Sequence, residues 1–548
     1  TISIRGASSS QTLVALNGMK LKSAQNATFD LAAFPISLLG EARLSKVGYS
    51  AEFGGNAMGG ALLLTTLRPK EETYAASATA GGFSEFGASA RAAFPSGKSV
   101  FSAAADWTSS KNDYPIEIAE YGERREVRRS NSDFKNVAFS ISADRALELG
   151  AARATLLARS TERGSPGAVL AGNIERRKSR LKEREALLIG AWNEYLSELE
   201  LRAGTLLRYS EMFFESPFGA DSLVFKGNGA YYAFDAAVNL EARAEVFGNR
   251  FKVAFEPAAS RLESDYMKTA AGVAERVSLG ASLAAERRLA RFGFGALEAD
   301  AAIRLDAASG ERAAPSPAAT LALRDTLYEI YVRYTGNFRY PSFNEKYYLN
   351  FGNEELKPET SRNAYAGASI KIGATALSIE GYFIEGKDQI VSVAKSAHIW
   401  SAENVGRVET RGVEFEAKYN LDWAFLSWSA TLQEARNMTK GSAAYGKELV
   451  YVPSIISRAR AAIELFGFNL DIFADYSGKR YYLADGVSSM PAYFTADAAL
   501  SRTFKVFGDT FTAKIELRNA FDERYEVIRS YPMPGRAVYF TLGWKNNY

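Results

Sequence analysis

The chain holds one histidine, His398, and no cysteine. Any Ser-His-Asp arrangement or imidazole metal site must therefore be built on His398, and a zinc cluster has no thiolates to use. His398 lies in "SAHIWSAENVGR", between two strand-like stretches, where a hairpin or strand-end position is expected. Carboxylate pairs such as Glu414 and Glu416 share one strand face, but hydrolysis by paired acids needs a defined pocket that no motif announces. "GGNAMGG", with Gly54, Gly55, Gly59 and Gly60, could cradle a phosphate; such a loop also needs a following Lys-Ser/Thr and a helix behind it, and neither is there. The glycines are read instead as turns and close backbone approaches. No catalytic residue, metal ligand or cofactor is assigned. Calcium in acidic outer loops is left open, since no loop shows a regular calcium spacing.

The elements around these residues narrow the choice. Lys and Arg total 66 against 63 Asp and Glu, a formal charge of +3 with no concentrated basic stripe, which argues against nucleic acid as a partner. Aromatic residues reach 12%, a share that suits β structure and membrane interfaces. No apolar run is long enough for a transmembrane helix, so a membrane protein of this sequence must be a barrel. The first residues lack the charged start and apolar core of a signal peptide, so an exported chain would have lost its leader.

Period-two patterning recurs over hundreds of residues. In "TFTAKIELRN", Phe511, Ala513, Ile515 and Leu517 alternate with Thr512, Lys514, Glu516 and Arg518. "GVEFEAKYNL", "LSWSATLQ", "YFTADAALSRTF" and the terminal "VYFTLGWKNNY" repeat the pattern, with no helical segments between them. Full charges such as Glu414, Glu416, Lys418, Lys514 and Glu516 occupy the polar faces. Buried in a sandwich they would each cost several kcal/mol unless paired, whereas facing a water-filled lumen they cost little. Residues 75 to 548 number 474, which over about 22 strands gives about 21 or 22 residues per strand and connection. The charge-rich segments "EYGERREVRRSNSDF" and "GNIERRKSRLKERE" are read as loops or strand extensions beyond the lipid. A soluble β protein with one solvated face is the competing reading, weakened by the absence of a 40 to 50 residue repeat.

With these segments in order, the chain resembles the TonB-dependent outer-membrane transporters, and most closely their cobalamin-transporter-like branch. "IRGASSSQTLVALNGMKL" is similar to the plug segment of that family, with Asn17 where an aspartate usually opens the turn. "DLAAFPISLLGEARLSKVGYSAEFGGNAMGGALLLTT" resembles the next plug segment, including Phe34-Pro35 and a turn from Ser50 to Gly54. It departs at Arg43, usually glutamate, and at Lys46-Val47-Gly48, usually Arg-Gly-Pro, positions that bear on the plug-to-barrel ion pairs. "YPSFNEKYYLNFGNEELKPETSRNAYAGA", "NVGRVETRGVEFEAKY", "YVPS" and "LRNAFDERYEVIRSYPMPGRAVYFTLGWKNNY" follow barrel segments in the family's order, ending in Tyr548 rather than Phe.

The resemblance implies an all-β membrane protein: an antiparallel transmembrane barrel of about 22 strands over residues 71–548, with an N-terminal plug, residues 1–70, inside its lumen. The plug is N-terminally incomplete by this comparison, and the segment that contacts TonB would lie upstream of Thr1. It further implies a monomer in the outer membrane of a diderm bacterium, surrounded by outer-membrane lipid and energised through TonB and its inner-membrane complex. Active uptake of a scarce, large ligand is the expected function, with a corrinoid of the cobalamin kind leading and a ferric siderophore second. A non-transporting binding or adhesion barrel and an outer-membrane enzyme, whose hydrolysis of ester or phospholipid substrates would have to survive replacement of His398, stay open as rivals. By position, the expected ligand contacts are Ser8, Ser9 and Ser10 after Ile-Arg-Gly, Asn26 in the loop after "NGMKL", and, more weakly, Thr1. The alternative for each is that it merely caps a turn.

Overall fold

The computed structural model describes residues 3–32, 34–120, 123–169, 178–216, 228–395 and 400–546. Alternating faces close into a barrel of 22 antiparallel strands, from Thr73–Gly81 to Ala537–Lys545, and these first and last strands pair with each other to leave no open edge. Closure satisfies the ladder all round, which is what a sheet surrounded by hydrocarbon requires. The apolar set read from the sequence points outward: Leu426, Trp428, Leu432, Phe494, Leu500, Ile515, Phe540 and Leu542 are all exposed on the outer wall. The charged set points in and pairs along the strands, as with Lys418 and Glu416 at 2.6 Å and Lys514 and Glu516 at 2.7 Å.

The two rims differ. One carries tight turns, several of only two residues, such as Phe247-Gly248 and Phe507-Gly508. The other carries the long connections, among them the hairpin Pro115–Glu120 with Glu123–Arg128 and the segment 340–358. Short turns face the periplasm and long loops the outside in barrels of this kind. Glu123 to Arg128 of the first charge-rich segment thus lie in an outer hairpin, while Arg180 to Glu185 of the second already belong to the strand Arg180–Leu196. Residues 170–177, which include part of the second charge-rich segment, lie outside the described residues, as do Thr1, His398 and Tyr548.

A four-stranded sheet fills the lumen: β1 (Thr12–Leu16), β2 (Met19–Lys20), β3 (Leu39–Ser45) and β4 (Gly60–Thr66), in the order β2-β1-β4-β3, with β1 and β4 parallel. Asn17 and Gly18 turn β1 into β2 with φ of 50° and 85°, the left-handed pair that an Asn-Gly turn supplies. The stretch expected as a Ser50 to Gly54 turn winds once into helix α1 (Ser50–Phe53). Gly54 and Gly60 hold φ of 70° and 151°, and a Cβ at Gly60 would come within 2.3 Å of the Ser45 carbonyl oxygen, so the "GGNAMGG" glycines serve backbone approach.

The sheet is held differently on its two sides. On one, Val14, Leu16, Met19, Leu21, Phe29 and Leu64 pack on a patch of the inner wall made by Leu157, Leu187, Ile189 and Leu206. On the other, the contacts are polar and specific: the Gly48 N–H donates to Tyr365 Oη (3.0 Å), the Ser50 N–H to Asn337 Oδ1 (2.8 Å), and Asn363 Nδ2 to the Met58 carbonyl (3.1 Å).

Candidate functional site

Two loops of the inner domain face the outer rim. The first is the single turn Ser9–Gln11 with Ser8 as its cap. The Ser8 N–H donates to Gln11 Oε1 (2.9 Å), the Ser8 and Ser10 hydroxyls lie 2.9 Å apart, and the Thr12 hydroxyl donates to the Ser8 carbonyl (3.1 Å). Ser8 is exposed and Ser9 and Ser10 are half-buried. The second loop runs from Ser23 to Thr28, closed by the Ser23 N–H on the Thr28 carbonyl (3.0 Å). Asn26 is exposed; its Oδ1 accepts from the N–H (3.2 Å) and hydroxyl (2.8 Å) of Thr28, which leaves its carboxamide nitrogen free for a ligand among the described residues. Turn capping and ligand presentation are thus not exclusive here, because the caps use only part of each residue's hydrogen-bonding capacity.

An outer-loop helix braces both loops. Helix α2 (Phe343–Tyr347) starts with a capping box in which the Glu345 N–H donates to Ser342 Oγ (3.3 Å) and the Ser342 N–H to Glu345 Oε2 (2.7 Å). Glu345 also receives both terminal nitrogens of Arg339 (2.8 and 2.9 Å), whose Nε donates to Glu359 (2.7 Å). Glu359 accepts in turn from Gln11 Nε2 (2.9 Å), beneath the serines. At the start of α2 the N–H groups of Phe343 and Asn344 donate to the carbonyls of Ala24 and Gln25 (3.1 and 2.8 Å), beside Asn26. The serines and Asn26 share no hydrogen bond among the described residues; they are tied to each other through α2 and the Gln11–Glu359–Arg339–Glu345 chain. This brace was legible only as Ser-x-x-Glu in "PSFNE". Nothing in the sequence says what it grips.

Beside the second loop a cavity of about 120 Å³ opens between the inner domain and the wall, lined by Lys20, Lys22, Arg208, Glu256, Arg276 and Arg304 among others. Lys20 and Arg304 both bind Glu256, the latter at 2.7 Å. Burial, then the charges of Arg276 and Lys20, pull Lys22 down to about 8. Sequence reasoning passed over this lysine, because the wall that buries it and the charge of Arg276 come from strands far along the chain.

The polar side of the inner domain centres on Arg5, whose side chain is only 1% exposed. Its Nε and Nη2 donate to Glu414 (3.0 and 2.9 Å), Nη2 also meets Glu380, and the guanidinium stacks 4.3 Å from the Tyr382 ring. Burial opposes the charge on Arg5, but the Glu414 hydrogen bonds and both carboxylates outweigh it and hold the group above its ordinary value. Lys46 adds a second cation to Glu414 at 3.1 Å. Of the two unusual positions noted in the sequence, Lys46 therefore makes a domain-to-wall ion pair, whereas exposed Arg43 meets, among the described residues, only Glu41 within its own strand, at 3.6 Å.

Comparison with known proteins agrees with this architecture. Residues 74–520 match the family model described as "TonB dependent receptor-like, beta-barrel" and residues 1–61 that of the "TonB-dependent Receptor Plug Domain". The vitamin B12 transporter BtuB of Photobacterium profundum is 27% identical over 212 residues, 38% of this chain and 34% of that protein. BtuB of Vibrio vulnificus is 25% identical over 241 residues, 41% and 36% of the two. The matched region thus spans about a third of the length of these curated relatives. Among solved structures, the siderophore receptor PirA from Acinetobacter baumannii superposes with a TM-score of 0.80 at 14% identity, covering 100% of this chain and 92% of that one. The FrpB iron transporter from Neisseria meningitidis does so at 0.79 and 12%, covering 99% and 93%. At such identities the likeness shows the fold alone.

Proposed function

The chain belongs to the TonB-dependent receptor family, plug and barrel both, and from that premise we propose that it takes up a corrinoid of the cobalamin kind across an outer membrane. The observation that carries the ligand is the sequence match to two vitamin B12 transporters, together with the plug segments around Ile4-Arg5-Gly6 and Asn17-Gly18. The chemistry of the apex supports it. Ser8, Ser9, Ser10 and Asn26 offer neutral hydroxyl and carboxamide groups, which suit a ligand fringed with amides better than a polyanionic iron chelate.

A ferric-siderophore ligand would draw on the arginine-rich outer hairpin. Several of those cations are already engaged: Arg124 with Glu117 at 3.3 Å, Arg128 with Asp113 at 3.3 Å, and neighbouring Arg524 with Glu117 and Glu126 at 2.7 and 3.1 Å. That lowers the pull the hairpin exerts on an anion.

In the proposed cycle the ligand settles on the two apical loops, and a periplasmic partner, TonB, pulls on the chain ahead of the plug. Force arriving from that side loads Arg5 before it reaches β1, so the Arg5–Glu380–Glu414 cluster is the first latch to yield. The experiment is uptake of labelled cyanocobalamin by cells expressing the full precursor, before and after the proton gradient is collapsed. Uptake that stops while surface binding persists supports energised transport. Uptake indifferent to the gradient, or binding with no uptake, contradicts it and favours a binding barrel.

A further inference from the structure

Arg502 is one of the arginines that face away from the hydrated lumen. Arg502 lies on the strand Tyr493–Val506 in register with Leu500 and Phe504, both exposed on the outer wall, and directly opposite Phe468 and Ala513 on its neighbours. It makes no ion pair among the described residues; its guanidinium rests 4.8 Å from the Phe468 ring. Phe468 follows the turn Phe466-Gly467, so Arg502 sits level with the short-turn rim. An unpaired cation on a lipid-facing wall is costly and calls for a counter-charge.

Three turns of that rim present phenylalanine. Phe247, Phe466 and Phe507, each followed by glycine, are 99%, 88% and 104% exposed and hold φ of 52°. Asn or Asp is the usual residue at that place in a two-residue turn, and the left-handed backbone costs a bulky side chain about 1–2 kcal/mol. Exposure to water would not offset that strain, whereas insertion of the ring among lipid headgroups does. From Arg502 an apolar trough of about 700 Å³ runs along the hydrogen-bonded row of the outer wall, through Ala513, Leu542, Ala78 and Ala88 to Trp107, and is flanked by Leu500 and Phe540. Because strands tilt about 35–45° in such barrels, a row across several of them climbs toward the bilayer centre, the course an acyl chain takes from its headgroup.

We propose that this corner of the barrel binds one glycerophospholipid of the periplasmic leaflet, with its phosphate on Arg502 and an acyl chain in the trough. The inference rests on the barrel lying in an outer membrane and is independent of the transported ligand. Charge complementarity selects the occupant: the trough alone would accept any apolar surface, but Arg502 at its rim end calls for an anion, which a phospholipid headgroup brings together with an acyl chain.

The test is native mass spectrometry of the full protein released in mild detergent and retitrated with phosphatidylglycerol after stripping. The wild type should carry one phospholipid. Arg502→Gln, which removes the counter-charge, and Ala513→Trp, which fills the trough, should each lower its occupancy at least tenfold. Arg287→Gln, at an outward rim position ten strands round the barrel, should leave it unchanged. No retained lipid in the wild type, equal retention in the two site variants, equal loss in Arg287→Gln, or a dimer that the site variants dissolve would each overturn the proposal.

Discussion

Replacing Arg5 by methionine should loosen the plug without unfolding the barrel. The change keeps most of the side-chain volume but leaves Glu380 and Glu414, both on the inner wall, without their shared cation. Removing one partner of a buried ion pair costs about 3–5 kcal/mol. The lower end applies here, because Glu414 keeps Lys46 at 3.1 Å and Glu380 keeps the Tyr331 hydroxyl. A loss of about 3 kcal/mol raises the open population of the plug roughly a hundredfold. The readout is hydrogen exchange of the β1 amides, Leu13 to Leu16, in proteoliposomes, with barrel strands as the internal reference. Adding Glu380→Gln and Glu414→Gln to the methionine variant should restore most of the protection, since the orphaned charges then vanish. Exchange of β1 within about threefold of wild type in the single variant would refute the assignment of Arg5 as the latch.

Under mechanical load applied N-terminal to β1, the plug should extend before any barrel strand; force traces in which both unravel together would contradict the two-sided attachment of the plug. Substituting Ser8 and Asn26 by tryptophan should weaken ligand binding at least tenfold by crowding the apex, with plug exchange unchanged, and unaltered affinity would remove these residues from the site. Lys22 should give a pH signature. Its folded value of about 8 lies below the usual 10.5, so the unfolded chain binds more protons between those values, and plug stability should rise with pH across that window. Below pH 8 the penalty is constant, at most about 3 kcal/mol and less for a side chain that keeps some contact with water; Lys22→Met should remove it there and make no difference above 10.5. Urea-induced plug release, followed by a fluorophore on the plug, measures both, and a profile identical in the two proteins would refute the assignment.

Much of the fold was legible because a strand between lipid and water carries its orientation in its own alternation, as Phe511 to Arg518 do. The reading weakened where both faces are apolar. Leu156-Leu157, Leu187-Leu188-Ile189 and Leu206-Leu207 break the alternation because one residue of each meets hydrocarbon while its neighbour meets the plug. The inner-wall patch that anchors the plug was therefore hidden in what look like merely hydrophobic strands. At the site, the serines and Asn26 could be placed by resemblance, but the brace through Gln11, Glu359, Arg339 and Glu345 could not, since its members stand up to 348 residues apart. Likewise Glu414, first noted as part of an acid pair, gains its role from Arg5, and no local pattern joins the two.

Titration of the purified protein with cyanocobalamin and, in parallel, with a ferric siderophore, followed by calorimetry, tests the central reading most directly. Saturable binding of one corrinoid per chain, lost in the Ser8 and Asn26 tryptophan variants and absent for the iron chelate, is the result expected. Tight binding of the chelate with no heat from the corrinoid would contradict it.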